Sequence, residues 1–280
     1  MLIAEAIERV KGFYRGTYKG QTIDMNTTRD KVLWGDINQE LKGVVTCIYP
    51  SVDVIKKAIE LKANLIISHE ACFWNHGDHT EWLKDNETFK LKTALLDSAN
   101  ICVWRNHDFI HSCMSVDGKY TDGIFYGFMK KFGWDNYLIG DFERPVQFEL
   151  PKMKVSDLTK LLKDTLDLNG VKVMGSLDNE ASRVWVCGHI DGRQDNEILR
   201  VMEEENFDTL ITLECTDYTV AEYVRDSSML GRNKTIIALG HFNQEEPGME
   251  YMINYLPEIL GNDVEYTFVK TTDMFEFQKV

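Results

Sequence analysis

Short apolar runs rich in β-branched residues alternate along this sequence with segments in which apolar residues recur at helical spacing. The runs predict strands at residues 44–48, 65–68, 101–104, 171–174, 184–187, 210–213, 235–239 and 264–269. The periodic segments predict helices at residues 1–10, 51–61, 87–99, 120–132, 155–166, 196–205 and 246–260. This alternation is typical of an α/β fold with a largely parallel or mixed sheet flanked by helices.

The alternating pattern occurs twice, once before about residue 125 and once after about residue 150. The strands are apolar without strict alternation, as in sheets that are covered on both faces. We therefore predict two similar α/β lobes, residues 1–125 and 126–280, each with a mixed sheet flanked by helices. With five prolines and no low-complexity segment, the chain offers no long linker, so the lobes are expected to be tightly coupled.

The composition excludes several classes of protein. A formal net charge of −14 argues against non-specific nucleic-acid binding, which needs a basic surface. No secretory signal is recognisable, and no apolar run approaches the ~20 residues of a membrane-spanning helix. A soluble, cytoplasmic protein is therefore expected. The six cysteines form no CxxC pair, which favours reduced thiols in the core over disulfides or a thiolate zinc site.

Histidines carry most of the chemical information in this sequence, because three clusters of them directly follow apolar runs. The clusters are Ser68-His69-Glu70, His107-Asp108-Phe109-Ile110-His111 and Gly240-His241-Phe242-Asn243-Gln244-Glu245. The carboxyl ends of strands are where α/β sheets collect ligands. Where the chain turns helical, residues four apart, such as His107 and His111 or His241 and Glu245, lie on one face. A mixed set of imidazoles and carboxylates suits zinc, iron or manganese, so the pattern predicts a divalent-metal site.

Each cluster alone also has an ordinary structural interpretation. A single histidine after a strand is commonly a hydrogen-bonded structural residue, and a histidine–glutamate pair four residues apart is common on helix surfaces. Three clusters at three strand ends favour metal binding. His76 and His79 lie in a polar loop that is either solvated or covers the site, and His189 follows a strand in a structural or substrate-facing position. The sequence contains no P-loop, no GxGxxG after a strand and no GxSxG elbow.

These clusters resemble the motifs of the NIF-three-like family, the NGG-interacting factor or YbgI-type proteins, whose members are known as GTP cyclohydrolase I type 2 homologues. Family members carry a strand leading into His-His, an HTxxD-like segment after a strand, and Gly-His-x-x-x-Glu near the end. Residues 51–59 and 63–69 resemble the family's first helix and strand, and residues 183–188 and 207–212 resemble strands of its second lobe. The first strand and the Gly-His-x-x-x-Glu ending are the most specific parts.

The resemblance implies a two-lobed α/β fold with a dinuclear metal site between the lobes, to which the segment from about residue 235 returns. It also implies a homo-oligomer, a hexameric ring built from dimers. Two divalent metal ions would be held by His69, Glu70, His107, His111, His241 and Glu245. Glu70 stands where the family has a second histidine, and His111 stands where the family has a carboxylate. Together these departures preserve four imidazoles and two carboxylates, which favours a retained site.

The expected function is a metal-dependent hydrolase with a small-molecule substrate, and the family's name implies opening of the imidazole ring of GTP. The candidates for a general acid or base are Asp108, His76, His79 and His189. The alternative is a non-enzymatic, metal-containing ring that binds a regulatory partner. No membrane association is expected, and nucleic acid is an unexpected partner for so acidic a chain.

Overall fold

The computed structural model describes residues 1–18, 20–271 and 273–278. Its strands are β1 (Thr17–Tyr18), β2 (Gln21–Thr22), β3 (Val32–Trp34), β4 (Gly43–Cys47), β5 (Leu65–Ser68), β6 (Cys102–Arg105), β7 (Met114–Val116), β8 (Lys119–Thr121), β9 (Gln147–Lys154), β10 (Lys172–Met174), β11 (Glu180–Val186), β12 (Thr209–Thr212), β13 (Thr235–Ala238) and β14 (Glu265–Phe268). Its α-helices are α1 (Ile3–Phe13), α2 (Val52–Glu60), α3 (Glu87–Ser98), α4 (Asp108–His111), α5 (Gly123–Phe132), α6 (Val155–Leu166), α7 (Asp195–Glu204), α8 (Val220–Met229), α9 (His241–Met252) and α10 (Leu256–Leu260). Short 3-10 helices lie at Glu81–Leu83 and Asp135–Tyr137.

The chain divides into two compact units. The first comprises Met1–Gly127 and Glu246–Thr272, and the second comprises Phe128–Glu245 and Asp273–Val280. The segment Glu246–Thr272 belongs to the first unit because its strand β14 pairs in parallel with β4. The hydrophobic pattern does not predict that this C-terminal segment belongs to the first unit. The pattern shows that a segment is buried, but it does not show which sheet the segment joins.

The first unit contains a five-stranded sheet in the order β14-β4-β5-β6-β3. The first four strands are parallel, and β3 is antiparallel to β6. All residues of β4, β5 and β6 are buried, as the unbroken apolar runs predict for a sheet covered on both faces. One face of this sheet packs against α2 and α3 to form a hydrophobic core. Cys47 and Cys72 lie in this core as free, buried cysteines.

The second unit contains a five-stranded sheet in the order β10-β13-β12-β11-β9. Its three central strands are parallel, and the two edge strands run antiparallel to their neighbours. Its core includes apolar residues of α7 and α8, among them Met202 and Val224. Mixed sheets flanked by helices, predicted for both lobes, are therefore confirmed.

All the strands predicted from apolar runs are present, with ends shifted by up to four residues. The pattern missed β3 and β9, which are edge strands with partly exposed residues. The predicted helix over residues 246–260 is wrong in its bounds: α9 begins at His241 and ends at Met252, and α10 follows. Pro257, in the first turn of α10, lacks an N–H group and so favours a new start there. Among the described residues, no helix is both long and apolar enough to cross a membrane.

Two glycines of the first unit allow helices α5 and α9 to touch. A Cβ atom on Gly127 would lie 2.5 Å from the Cα atom of Gly248, and a Cβ atom on Gly248 would lie 2.5 Å from the Cα atom of Ile124. Such separations are too short for real carbon atoms, so the contact requires a glycine at each position.

We expect Gly127→Ala to lower the free energy of unfolding by about 1–3 kcal/mol, because the added methyl group overpacks a backbone contact. Gly12→Ala is the matched control: Gly12 lies in α1, where an added Cβ meets nothing within 4 Å, so it should stabilise the protein slightly. Chemical denaturation of both variants checks this. A Gly127→Ala protein as stable as the wild type would show that the two helices do not pack as described.

Candidate functional site

Two neighbouring parallel strands of the first unit deliver histidines to the same edge of its sheet. β5 and β6 pair in register, with Ser68 opposite Arg105. His69 follows β5 directly, and His107 follows β6 after one residue. The backbone N–H of Asn106 donates to the carbonyl oxygen of Ser68 at 2.8 Å, which continues the ladder beyond the strand ends. The two histidines are therefore placed by the sheet itself.

A single turn of helix adds the third histidine. Asp30, which is buried, accepts hydrogen bonds from the backbone N–H groups of His107, Asp108 and Phe109 at 3.0, 2.7 and 3.3 Å. These bonds satisfy the first amides of α4. The turn brings His111 onto the face of His107, as the four-residue spacing predicts.

The imidazoles of His69, His107 and His111 converge. One ring nitrogen from each lies within 4.8 Å of the others. The rings of His69 and His107 stack with centroids 4.5 Å apart, and the ring of His111 stands edge-on to them at 5.1 and 5.3 Å. His69 is fully buried, whereas the other two side chains are 18% and 15% exposed, so the group is open to solvent on one side.

Each of the three Nδ1 atoms lies within hydrogen-bonding distance of its own oxygen atom. The pairs are His69 Nδ1 with the Asn106 carbonyl oxygen at 3.2 Å, His107 Nδ1 with Asp108 Oδ1 at 2.9 Å, and His111 Nδ1 with Asp122 Oδ2 at 2.8 Å. An oxygen acceptor fixes the proton on Nδ1 and leaves the lone pair on Nε2. Metal-binding histidines are oriented in this way by carboxylates and backbone carbonyls.

The electrostatics of the group favour neutral imidazoles. Burial, together with His107 and His111, holds the pKa of His69 well below its ordinary value. Burial also lowers the pKa of His107, although the hydrogen bond to Asp108 acts in the opposite direction. Both rings are therefore neutral at neutral pH, which is the form that ligates a metal ion.

Glu70 is held beside the three imidazoles by a buried arginine. The guanidinium of Arg105 donates to Glu70 Oε2 at 2.8 Å and to the backbone oxygen of His69 at 3.0 Å. Glu70 Oε1 lies 4.0 Å from His107 Nε2. Two ligands bonded to one cation at about 2.1 Å lie at most about 4.2 Å apart. Glu70 Oε1 and His107 Nε2 are therefore close enough to be ligands of one cation.

The structure gives Asp108 the position of an orienting residue. Besides His107, it accepts hydrogen bonds from Thr28 Oγ1 and the backbone N–H of Arg29, each at 2.9 Å. Burial acts to raise the pKa of Asp108, but these hydrogen bonds outweigh it and hold the pKa well below the ordinary value. A carboxylate with so low a pKa is a poor proton carrier at neutral pH.

The two histidines of the polar loop differ in position. His76 lies beside Glu70, with Nδ1 3.7 Å from Glu70 Oε2, and its Nε2 accepts a hydrogen bond from Arg29 Nε at 2.6 Å. Burial and the nearby Arg105 lower the pKa of His76, so this ring is neutral. His79 is exposed, and its backbone N–H donates to Asn75 within the same loop at 3.1 Å.

Three neighbouring parallel strands of the second unit end in a similar way. His189 follows β11, Glu214 follows β12 and His241 begins α9 after β13. One ligand atom from each lies within 4.8 Å of the others, and their side chains are 40%, 49% and 33% exposed. Glu245, one helical turn after His241, places Oε2 3.2 Å from His241 Nε2. The predicted pairing of His241 with Glu245 is therefore present as a contact.

Sequence reasoning missed Glu214, Asp122, Asp30 and Arg105. Glu214 directly follows an apolar run, at the kind of position that singled out the histidines. Asp122 precedes α5 and accepts from the backbone N–H of Ile124 at 2.9 Å, as helix-capping aspartates do. Arg105 also directly follows an apolar run, at residues 101–104, but its partner Glu70 lies far along the chain. Asp30 carries no local signal.

Comparison with known proteins agrees with this architecture. A family model described as Duf34/NIF3 (NGG1p interacting factor 3) matches residues 31–274. The chain belongs to the Duf34/NIF3 family. The resemblance inferred from the histidine motifs is thereby confirmed. A curated relative, the "GTP cyclohydrolase 1 type 2 homolog" of Clostridium perfringens, is 24% identical over 253 residues, which covers 87% of this chain and 88% of the relative.

Two solved structures share the fold. The Bacillus cereus "protein related to NIF3" superposes with a TM-score of 0.72 at 14% identity, over 99% of both chains. Staphylococcus aureus hypothetical protein SA1388 superposes with a TM-score of 0.71 at 16% identity, over 100% of this chain and 99% of the other. At such low identity these likenesses establish the fold and do not extend to activity.

We expect Arg105→Met to destabilise the protein by about 3–5 kcal/mol, because it removes the buried guanidinium that pairs with the Glu70 carboxylate. Adding Glu70→Gln should recover part of this loss, since the charge of the carboxylate is then absent. Denaturant titration of the wild type, both single variants and the double variant gives the coupling energy. Additive losses in the double variant would mean that the Arg105–Glu70 pair is not a buried ion pair.

Proposed function

We propose that this protein binds divalent metal ions and uses them in a hydrolytic reaction on a small molecule. The observation that carries the proposal is the convergence of His69, His107 and His111, each with Nδ1 set against an oxygen acceptor. One ring nitrogen from each of the three histidines lies within 4.8 Å of the others, and such a group of imidazole donors suits a shared divalent cation. The pair His241 and Glu245 in the second unit offers further donors of the same kind.

The donor set fits zinc, iron or manganese. Imidazole nitrogen suits the first two, and the carboxylates of Glu70 and Glu245 add the oxygen donors that manganese prefers. A bound divalent cation supplies Lewis acidity, which polarises a carbonyl or phosphoryl oxygen and lowers the pKa of water. Two cations per chain remain a prediction from the family resemblance.

The chain's own residues divide the remaining tasks. Asp108 and Asp122 orient ligands, and Arg105 directs one oxygen of Glu70 towards the group. Among the predicted acid–base candidates, His189 retains the suitable properties. Its side chain is 40% exposed, and the hydrogen bond to Glu214 raises its pKa above the ordinary value, so the ring is a candidate to hold a proton.

The name of the curated relative from Clostridium perfringens makes GTP the first substrate to test. The proposed reaction is hydrolytic opening of the imidazole ring of GTP, with other nucleotides and phosphoesters as the remaining members of a substrate panel. A regulatory role without turnover is the competing outcome, since the family description names an interaction partner.

Metal content tests the binding proposal. We expect His111→Ala, and separately the double change His241→Ala with Glu245→Ala, each to lower the bound metal by about one equivalent per chain, because coordinating atoms are removed. His79→Ala, an exposed histidine of the polar loop, is the matched control and should bind as much metal as the wild type. Elemental analysis after metal loading measures this. Unchanged metal in both test variants would overturn the proposed sites.

Turnover tests the enzymatic part of the proposal. Metal-loaded wild-type protein should convert at least one member of the panel, and His241→Ala should abolish that conversion. Retention of metal with no turnover of any substrate would favour the regulatory alternative.

We also propose that the chain assembles into a hexameric ring, as the family resemblance implies. A chain of 32.4 kDa should then scatter light as a particle of about six subunit masses. A monodisperse monomer that binds metal would show that metal binding in this chain is independent of such a ring.

A further inference from the structure

Glu214 lies between the two histidines of the second-unit group. Its Oε1 accepts a hydrogen bond from His189 Nδ1 at 2.8 Å, and its Oε2 lies 3.3 Å from His241 Nδ1. On the opposite edge of the same ring, His241 Nε2 lies 3.2 Å from Glu245 Oε2. The imidazole of His241 thus faces a different carboxylate with each of its nitrogens.

A neutral imidazole carries its proton on one nitrogen and its lone pair on the other. A cation that takes Glu245 as a ligand can be reached by His241 only through Nε2, so the proton must reside on Nδ1. We propose that Glu214 is the positioning residue that holds this proton and thereby presents Nε2 of His241 to the metal, with His189 steadying Glu214 from its other side. The role rests on the proposed function, because it requires a metal on His241.

The backbone holds these side chains in register. The carbonyl oxygen of Glu214 accepts from the backbone N–H of Ile190 at 3.0 Å, and the backbone N–H of Gly240 donates to Leu213 at 2.9 Å. The buried hydroxyl of Thr212 lies within hydrogen-bonding distance of the carbonyl oxygens of both Gly188 and Glu214. Backbone hydrogen bonds between neighbouring strand ends therefore lie at or next to each of His189, Glu214 and His241.

The position of the Glu214 carboxylate suits an acceptor. Its Oε1 lies 2.8 Å from His189 Nδ1, and its Oε2 lies 3.3 Å from His241 Nδ1. A carboxylate oxygen accepts hydrogen bonds and donates none when it is ionised, so the ring nitrogen that faces it is expected to carry the proton. The first unit repeats this arrangement, since Asp108 and Asp122 accept from the Nδ1 atoms of its histidines.

Glu214 is also close enough to His189 and His241 to be a metal ligand itself. The ligand role and the positioning role differ in which nitrogen of His241 carries the proton. As a ligand on the cation bound by His241 Nδ1, it would leave the proton of that ring on Nε2, facing Glu245. The positioning role and the ligand role therefore require opposite tautomers of His241.

The first experiment determines the tautomer in metal-free protein. Long-range proton–nitrogen NMR on protein with labelled histidines, with His241→Ala for assignment, should show the proton of His241 on Nδ1. In Glu214→Ala the Nε2-protonated form should gain population. A proton on Nε2 in the wild type would overturn the positioning role.

The second experiment measures zinc affinity by competition with a chelator. Glu214→Ala should bind the second-unit zinc about 10- to 100-fold more weakly, and Glu214→Gln should lose less, because its amide oxygen still accepts from Nδ1. Glu197→Ala, which removes an exposed glutamate paired with Arg200 on α7, is the matched control and should leave the affinity unchanged.

The outcomes separate this proposal from the one on which it rests. A wild-type protein that binds no zinc would overturn the proposed function and this role together. If the wild type binds zinc and Glu214→Ala matches Glu197→Ala, the role of Glu214 alone is overturned. Equal losses in Glu214→Ala and Glu214→Gln, together with Nε2 protonation of His241, would identify Glu214 as a ligand.

Discussion

The candidate chemistry of this fold depends on the hydrogen bond between a histidine Nδ1 and an oxygen atom. Without it, an imidazole in a buried group can turn over or carry its proton on either nitrogen, and the group has no defined donor set. In the first unit the acceptors are a backbone carbonyl and two aspartates, and in the second unit the acceptor is Glu214. These acceptors are built into strand ends and helix starts, so the backbone that forms the sheets also determines which nitrogen each ring presents.

The two units use the same local construction. Each contains three consecutive parallel strands joined by two helices, β4-α2-β5-α3-β6 in the first and β11-α7-β12-α8-β13 in the second. In each, the third strand leads into a helical turn with two donors four residues apart, His107 with His111 and His241 with Glu245. Each second strand is followed by a glutamate, Glu70 or Glu214. The carboxyl ends of parallel strands lie at the same edge of a sheet. The shared topology therefore explains why each unit brings candidate metal-ligating side chains together at one edge of its sheet.

The sequence predicts the sheets well because their central strands are buried on both faces and so appear as unbroken apolar runs. It predicts the donors at strand ends for the same reason, since a polar residue directly after such a run stands out. Edge strands such as β9, and the entry of β14 into the first sheet, depend on pairing between distant segments that no local pattern records. The partners of the donors are harder still to predict. Arg105 lies 35 positions from Glu70, and Asp30 lies 78 positions from Asp108, so only the folded chain shows that they meet.

Glu70 and His111 are the two departures from the family motif, and the side chains that contact them explain why each residue type suits its position. A carboxylate at position 70, where the motif has a histidine, adds a buried negative charge, and the guanidinium of Arg105 lies 2.8 Å away to balance it. At position 111 the motif has a carboxylate, which would face the carboxylate of Asp122 in this chain and be repelled by it. His111 instead donates to Asp122 at 2.8 Å. Each exchanged side chain therefore meets a neighbour of complementary charge or hydrogen-bonding sense.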